Sequence, residues 1–268
     1  MGIYWQVFTM ELRRQMSYRL DFWMNSLFAF MAAMAVVYYL WSSIYAGLDG
    51  GEIAGYSLNG MITYYLLVIL IGRLVRGSQQ LMAIANDIYD GGLSRYQLYP
   101  TSYLGFKYAE HLGNLLPVAL QIALLAVVAP FFLDLPPEYA ITPATLGTAL
   151  LVVGLANLLY FLLALPLQLV AFWADNVWSL AVMLHFVGGL LGGVMLPLDL
   201  FPQGLREILY FTPFVYLYYF PVQVLLGQLG WAEIARGVTV MAFWLVILGS
   251  VARLIWLRGS RLYSGVGI

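Results

Sequence analysis

The chain has 268 residues, of which 63% are hydrophobic and 9% charged, with a formal charge of −1 at pH 7. Soluble domains carry about 25% charged residues, so this composition excludes a water-solvated fold and makes lipid the natural solvent. Without a basic tract there is no footprint for nucleic acid, and with no cysteine, disulfides, thiolate chemistry and cysteine-held metal are excluded.

In chain order, the first element is amphipathic. Ile3, Tyr4, Val7, Phe8 and Leu12 recur near helical spacing, while Glu11, Arg13 and Arg14 form a charged patch. This predicts a helix over residues 1–20 that lies in the headgroup layer and leads into the first span. A helix needs about 20 apolar residues to cross a bilayer. Six stretches qualify: 22–44, 53–72, 112–133, 144–170, 177–197 and 238–257. The first is too long and unbroken for the apolar core of a signal peptide.

Basic residues orient these spans. Arg13, Arg14 and Arg19 precede the first span. Arg73, Arg76, Arg95 and Lys107 lie between the second and third, and Arg253, Arg258 and Arg261 sit at the end of the sixth or after it. The loops after the first and third spans carry Asp49, Glu52, Asp134 and Glu138 but no Lys or Arg. Ten of the twelve basic residues thus fall on one side, Arg206 and Arg236 being the exceptions. The positive-inside rule makes that side, and both termini, cytoplasmic.

Between spans two and three, Leu81, Ile84 and Ile88 predict a cytoplasmic helix over 79–90. Asp87 and Asp90 lie close by, and Gly91 and Gly92 can end the helix. Held between two spans and followed by a proline turn, it is either an ordinary loop helix or a lever for a soluble partner. In span five, Gly188, Gly189, Gly192 and Gly193 form two overlapping G-x-x-x-G registers, which predict close helix packing within the chain or across a dimer. Pro117 and Pro166 lie inside spans and Pro130 lies near the outer end of span three, where kinks are expected.

Residues 208–227 are also mostly apolar. Pro213 and Pro221 would each remove a helical hydrogen bond, and the four tyrosines suit an interface better than a bilayer centre. A seventh span would also carry Arg253, Arg258 and Arg261 outside. The prediction for 203–228 is short helices at, or dipping into, the outer surface.

Several machineries leave no trace. There is no G-x-x-x-x-G-K-[ST] phosphate loop; the sole lysine, Lys107, stands in Gly105-Phe106-Lys107-Tyr108. There is no H-E-x-x-H and no G-x-S-x-G. A coupled carrier needs buried ionisable groups. Here Glu110, His111 and Asp175 fall near span ends, and His185 lies deeper, either packing helices, touching water or handling a substrate or proton. Asn114, Gln121, Asn157 and Gln168 either line a cavity or bridge helices.

Three passages together resemble the permease subunits of type-2 ABC exporters, in the branch near daunorubicin- and viologen-type exporters. They are Asp87-Ile88-Tyr89-Asp90-Gly91-Gly92-Leu93 with Leu98-Tyr99-Pro100-Thr101-Ser102; Gly192-Gly193-Val194-Met195-Leu196-Pro197-Leu198-Asp199-Leu200-Phe201-Pro202 with Thr212-Pro213-Phe214 and Tyr219-Phe220-Pro221; and Arg261-Leu262-Tyr263-Ser264-Gly265-Val266-Gly267, with Leu262 as an extra residue. The resemblance covers essentially the whole chain. It implies an all-α domain over 1–268 with six spans, an interfacial N-terminal helix, a cytoplasmic coupling helix and short re-entrant helices outside. It further implies a bacterial inner-membrane permease that pairs with a second permease chain. Such a permease sits in membrane lipid and binds no nucleic acid.

In this reading a hydrophobic or amphipathic substrate moves outward, powered by a separate cytosolic ATPase that holds ATP and Mg. The chain itself carries no cofactor and is not an enzyme. The implied coupling residues are Ile84, Asp87, Ile88, Asp90, Gly91, Gly92 and Arg95. The implied outer gate is Pro197, Phe201, Pro202, Pro213, Phe214 and Pro221, with Gly188, Gly189, Gly192 and Gly193 at helix contacts. The coupling loop departs from the family in having two aspartates beside Arg95 instead of a basic face. On residues alone, a secondary carrier or channel, or a non-transporting subunit of a membrane complex, stays open. An intramembrane enzyme would need a clustered nucleophile, metal or carboxylate pair, which the sequence lacks.

Overall fold

Apolar runs of this length have no water to satisfy their peptide groups, so they bond internally as helices. A computed structural model of the chain describes residues 2–17, 19–48, 51–77, 82–96, 98–128 and 139–263. Outside these lie residues 79–81 of the expected coupling helix, 129–133 of the expected third span with Pro130, the acidic Asp49, Asp134 and Glu138, and the tail from Ser264.

The described residues form eleven α-helices: α1 (Gly2–Ser17), α2 (Arg19–Ala46), α3 (Leu58–Arg76), α4 (Ala83–Tyr89), α5 (Leu93–Tyr96), α6 (Tyr103–Val128), α7 (Pro143–Leu169), α8 (Trp178–Leu191), α9 (Gln203–Leu209), α10 (Tyr219–Leu225) and α11 (Trp231–Gly259). Among them, five are long and apolar enough to cross a membrane: α2, α3, α6, α7 and α11. Ser57 starts α3 by accepting from Gly60 N–H, and Thr142 with Thr145 forms a capping box at α7.

The fifth expected span, 177–197, is shorter than its apolar run. Its helix α8 has 14 residues, about 21 Å at 1.5 Å per residue, against a hydrocarbon core of about 30 Å. The glycines end it. Gly193 takes φ +89°, and the N–H groups of Val194 and Met195 both donate to Gly189 O at 2.9 and 3.0 Å. The glycine pair therefore works as a C-terminal cap. Gly192 packs within the chain, against Tyr218 and Phe214 O, while a Cβ on Gly188 would meet nothing within 4 Å.

Past that break the chain does not stay peripheral. The turn Val215–Leu217 and α10 supply the centre of the larger core, with Val215, Leu217, Val222 and Leu226 at 0% exposure, packed among residues of α3, α7 and α11. The tyrosines of this segment are buried within the chain where their hydroxyls find partners. Tyr216 Oη donates to Tyr210 O at 2.7 Å and Tyr219 Oη donates to Asp199 at 3.0 Å. The segment packs along helix α3. Tyr64 on α3 donates to Gly193 O at 2.7 Å. Further along, Tyr218 packs 3.5 Å from the Cβ position of Gly72, about 21 Å along α3 from Leu58. On α11, Gly237 makes room for Phe220, whose ring would lie 2.3 Å from a Cβ there.

Helix α1 runs alongside the first half of α6. Tyr4 contacts Gly105, and Phe8 O with Glu11 contacts Gly113, so the two helices run in the same direction. Val7 and Glu11 are buried in this seam, while Trp5 and Met10 remain exposed. A second, smaller core joins α4 and α5 to α6, α7 and α11 through Ile84, Ile88, Leu93, Tyr103, Leu169 and Ala252.

Candidate functional site

Helices α4 and α5 form a compact corner between α3 and α6. Ile84, Ala85 and Ile88 recur with helical period and are 3%, 0% and 1% exposed, so one face is fully inserted. The helix start is capped from outside: Gln168 Oε1, on α7, accepts from Ile84 N–H at 3.0 Å. The end turns at Gly91, φ +70°. Tyr89 Oη donates to Ala174 O at 3.0 Å, adding the turn between α7 and α8.

The strongest attachment is ionic. Lys107 Nζ lies 2.8 Å from Asp87 Oδ2 and 2.9 Å from Glu110 Oε2, and donates to Tyr96 Oη at 3.1 Å. Tyr103 Oη donates to Asp87 Oδ2 at 2.8 Å, and Arg95 reaches Oδ1 at 3.4 Å. Lys107 and Asp87 side chains are only 8% and 11% exposed. Such a pair is costly to desolvate but costlier to halve. It fixes the register of α4 against α6.

The expected coupling residues therefore separate into two faces. Ile84, Asp87 and Ile88 point inward and hold the corner. Asp90 and Arg95 are exposed, and Gly91 and Gly92 are half-buried. Beyond them Leu98 and Tyr99 stand 85% and 51% exposed beside Pro100, an apolar tip in which one face of the Tyr99 ring stacks on Phe106. Sequence reasoning did not single out Lys107, Tyr96, Tyr103 or Gln168 as the clamp. The signal was present in the chain's one lysine, four residues after Tyr103 and within helical reach of Glu110.

Under the corner, Asn157 on α7 ties two helices together. Its Nδ2 donates to Leu74 O and Val75 O at 3.0 and 3.1 Å, the carbonyls at the end of α3, and stands 2.9 Å from His111 Nε2 on α6. His185 Nδ1 is 3.4 Å from the Arg76 guanidinium. The two histidines thus serve separate contacts. Among the described residues no group of three His, Asp or Glu is placed to hold a metal.

The other end of α3 carries a polar knot that the sequence did not reveal. Asp199 accepts from Tyr56 Oη at 2.7 Å, from Tyr219 Oη at 3.0 Å and from Arg206 at 3.3 Å, while Gln223 Nε2 donates to Tyr56 Oη at 3.0 Å. Of the expected gate residues, Pro197, Pro213 and Pro221 are buried and Phe201 and Phe214 are half-buried in the larger core. Pro202 is exposed. The glycines are divided as well: Gly192 and Gly193 contact this inserted segment, Gly189 faces Met195, and Gly188 faces open space.

The sequence model of the family described as ABC-2 family transporter protein matches residues 31–267. A comparison with curated proteins finds no match. The match spans nearly the whole chain, so the chain belongs to the ABC-2 family of transporter proteins and is a multi-pass membrane component of an ABC transporter.

Proposed function

We propose that this ABC-2 family chain is the permease subunit of an ATP-driven exporter, moving a hydrophobic or amphipathic substrate outward across a bacterial inner membrane. A separate cytosolic ATPase binds and hydrolyses ATP with Mg, and two permease chains form the pathway. The observation that carries this reading is the two-faced corner. Its inner face is bolted by Ile84, Ile88, Asp87–Lys107 and Gln168 to α6 and α7, and its outer face offers Asp90, Arg95, Leu98 and Tyr99 to a partner. A push on such a body moves α6 and α7 with it, because none of the clamp contacts is a flexible tether. Mixed charge beside two exposed apolar side chains suits a protein partner better than an anionic lipid surface.

In this reading the N- and C-termini lie in the cytoplasm and the inserted segment between α8 and α11 closes the outer side. The Asp199 knot holds that closure, since opening it exposes or orphans five polar side chains. ATP binding on the partner supplies the differential free energy that favours one state over the other. The test is to purify the chain with the ABC ATPases of its own cell. Stable association and ATP hydrolysis that responds to the permease are expected. Separate elution with unchanged hydrolysis would sink the exporter reading.

A further inference from the structure

A second polar site, unrelated to the corner or the outer knot, lies between α2, α3 and α6. Arg73 and Arg76 are three residues apart on α3 and so neighbours on its surface. Arg73 donates to Ser26 Oγ on α2 and, at 3.0 Å, to Gln121 Oε1 on α6. Ser26 Oγ also donates to Gln121 Oε1, at 2.7 Å. Arg76 donates to Gly72 O at 3.2 Å and faces His185. Among the described residues no carboxylate lies within ion-pair reach of either arginine. Gln121, 4% exposed, leaves its Nε2 buried without an acceptor. The two guanidinium groups thus have only neutral acceptors, held in apolar surroundings where a like-charge pair is costly.

Beside these donors the chain leaves space. A cleft of about 610 Å³ is lined by Asn25, Ser26, Phe30, Ile69, Arg73 and Arg76. A second lobe of about 210 Å³ shares Ser26, Phe30 and Arg73 and is otherwise walled mainly by Trp23, Met24, Leu27, Leu124 and Leu125. Polar donors at one end and aromatic and aliphatic walls at the other form an amphipathic cleft of ligand size. We propose that it binds an anionic amphiphile. A phosphate or carboxylate head sits on Arg73, Arg76 and Gln121 Nε2, and a hydrocarbon tail lies along Trp23, Leu27, Phe30 and Leu124. Guanidinium forks match both oxyanions, and the tail supplies the apolar burial that a free anion lacks. The binding site stands on its own; that its occupant is the cargo rests on the exporter reading.

Trp23 provides the readout. The chain is reconstituted in neutral phosphatidylcholine, and quenching by brominated phosphatidylglycerol, brominated fatty acid and brominated phosphatidylcholine is compared, with Trp23→Phe identifying the local signal. Wild type is expected to favour the two anionic quenchers by about tenfold or more. Arg76→Gln, which leaves the Arg73–Ser26–Gln121 bonds in place, should lower that preference several-fold without changing the thermal unfolding. Arg73→Lys should retain most of it. Equal quenching by neutral and anionic lipid, or unchanged preference in a folded Arg76→Gln variant, would overturn the site. Inorganic phosphate displacing the lipid at comparable concentration would overturn the role of the tail. Anionic binding without permease-dependent ATP hydrolysis would leave the site standing and remove the exporter. Coupled hydrolysis with no anionic preference would do the reverse.

Discussion

Replacing Lys107 with methionine tests whether the corner is rigid because of its buried ion pair. The side chain keeps its length and loses its charge. Asp87 and Glu110 then face each other without the cation that lies 2.8 and 2.9 Å from them. Halving a buried pair costs about 3–5 kcal/mol. Here Tyr103 still donates to Asp87 at 2.8 Å and Arg95 still approaches at 3.4 Å, which argues for the lower end, about 3 kcal/mol. For a chain of this size that corresponds to a fall in Tm of about 6–12 °C, readable by heating the detergent-solubilised protein and following the folded fraction by size exclusion. Adding Asp87→Asn removes the stranded charge, so the double variant should recover a coupling of about 1–3 kcal/mol relative to the sum of the singles. Strictly additive losses, or a Lys107→Met variant as stable as wild type, would refute the clamp.

Other consequences follow from the same geometry. Leu98→Asp should leave thermal stability unchanged, since Leu98 is 85% exposed, yet abolish co-purification with the ATPase. Tyr219→Phe deletes the donor to Asp199 and should cost about 1–3 kcal/mol, measured as a Tm decrease, with Tyr56→Phe similar. Gly193→Ala forces a side chain onto φ +89°, 2.7 Å from the Tyr64 hydroxyl, and should destabilise by about 1–3 kcal/mol. Gly188→Ala meets open space and should be neutral for the single chain; loss of a dimer in this variant alone would place that glycine between copies.

Sequence periodicity and length were enough to locate α2, α3, α6, α7 and α11, because an apolar run of bilayer length has one good solution. For 177–197 they did not show where the helix stops. Hydropathy sums side chains and is blind to backbone φ, so it showed Gly192 and Gly193 as packing residues, which they are, but not that they also end α8. Nor did the sequence show that tyrosines of 208–227 are buried within the chain. Tyr216 and Tyr219 are core residues because Tyr210 O and Asp199 satisfy their hydroxyls, and such partners, 6 and 20 residues away, leave no local pattern. Within the corner, Ile84 and Ile88 were legible from spacing, but which face they took was not. Asp87 is paired with a lysine from another helix, which only the fold brings near.

The central claim is that the exposed tip after α5 receives a separate ATPase while the segment between α8 and α11 lies across the membrane from it. Site-specific photocrosslinking tests both halves in one measurement, with a photoreactive residue at Leu98 or at Ile208, which is 63% exposed on α9. The account predicts a covalent adduct with an ABC ATPase from position 98 and none from position 208. No adduct from 98, or equal yield from both, would contradict it.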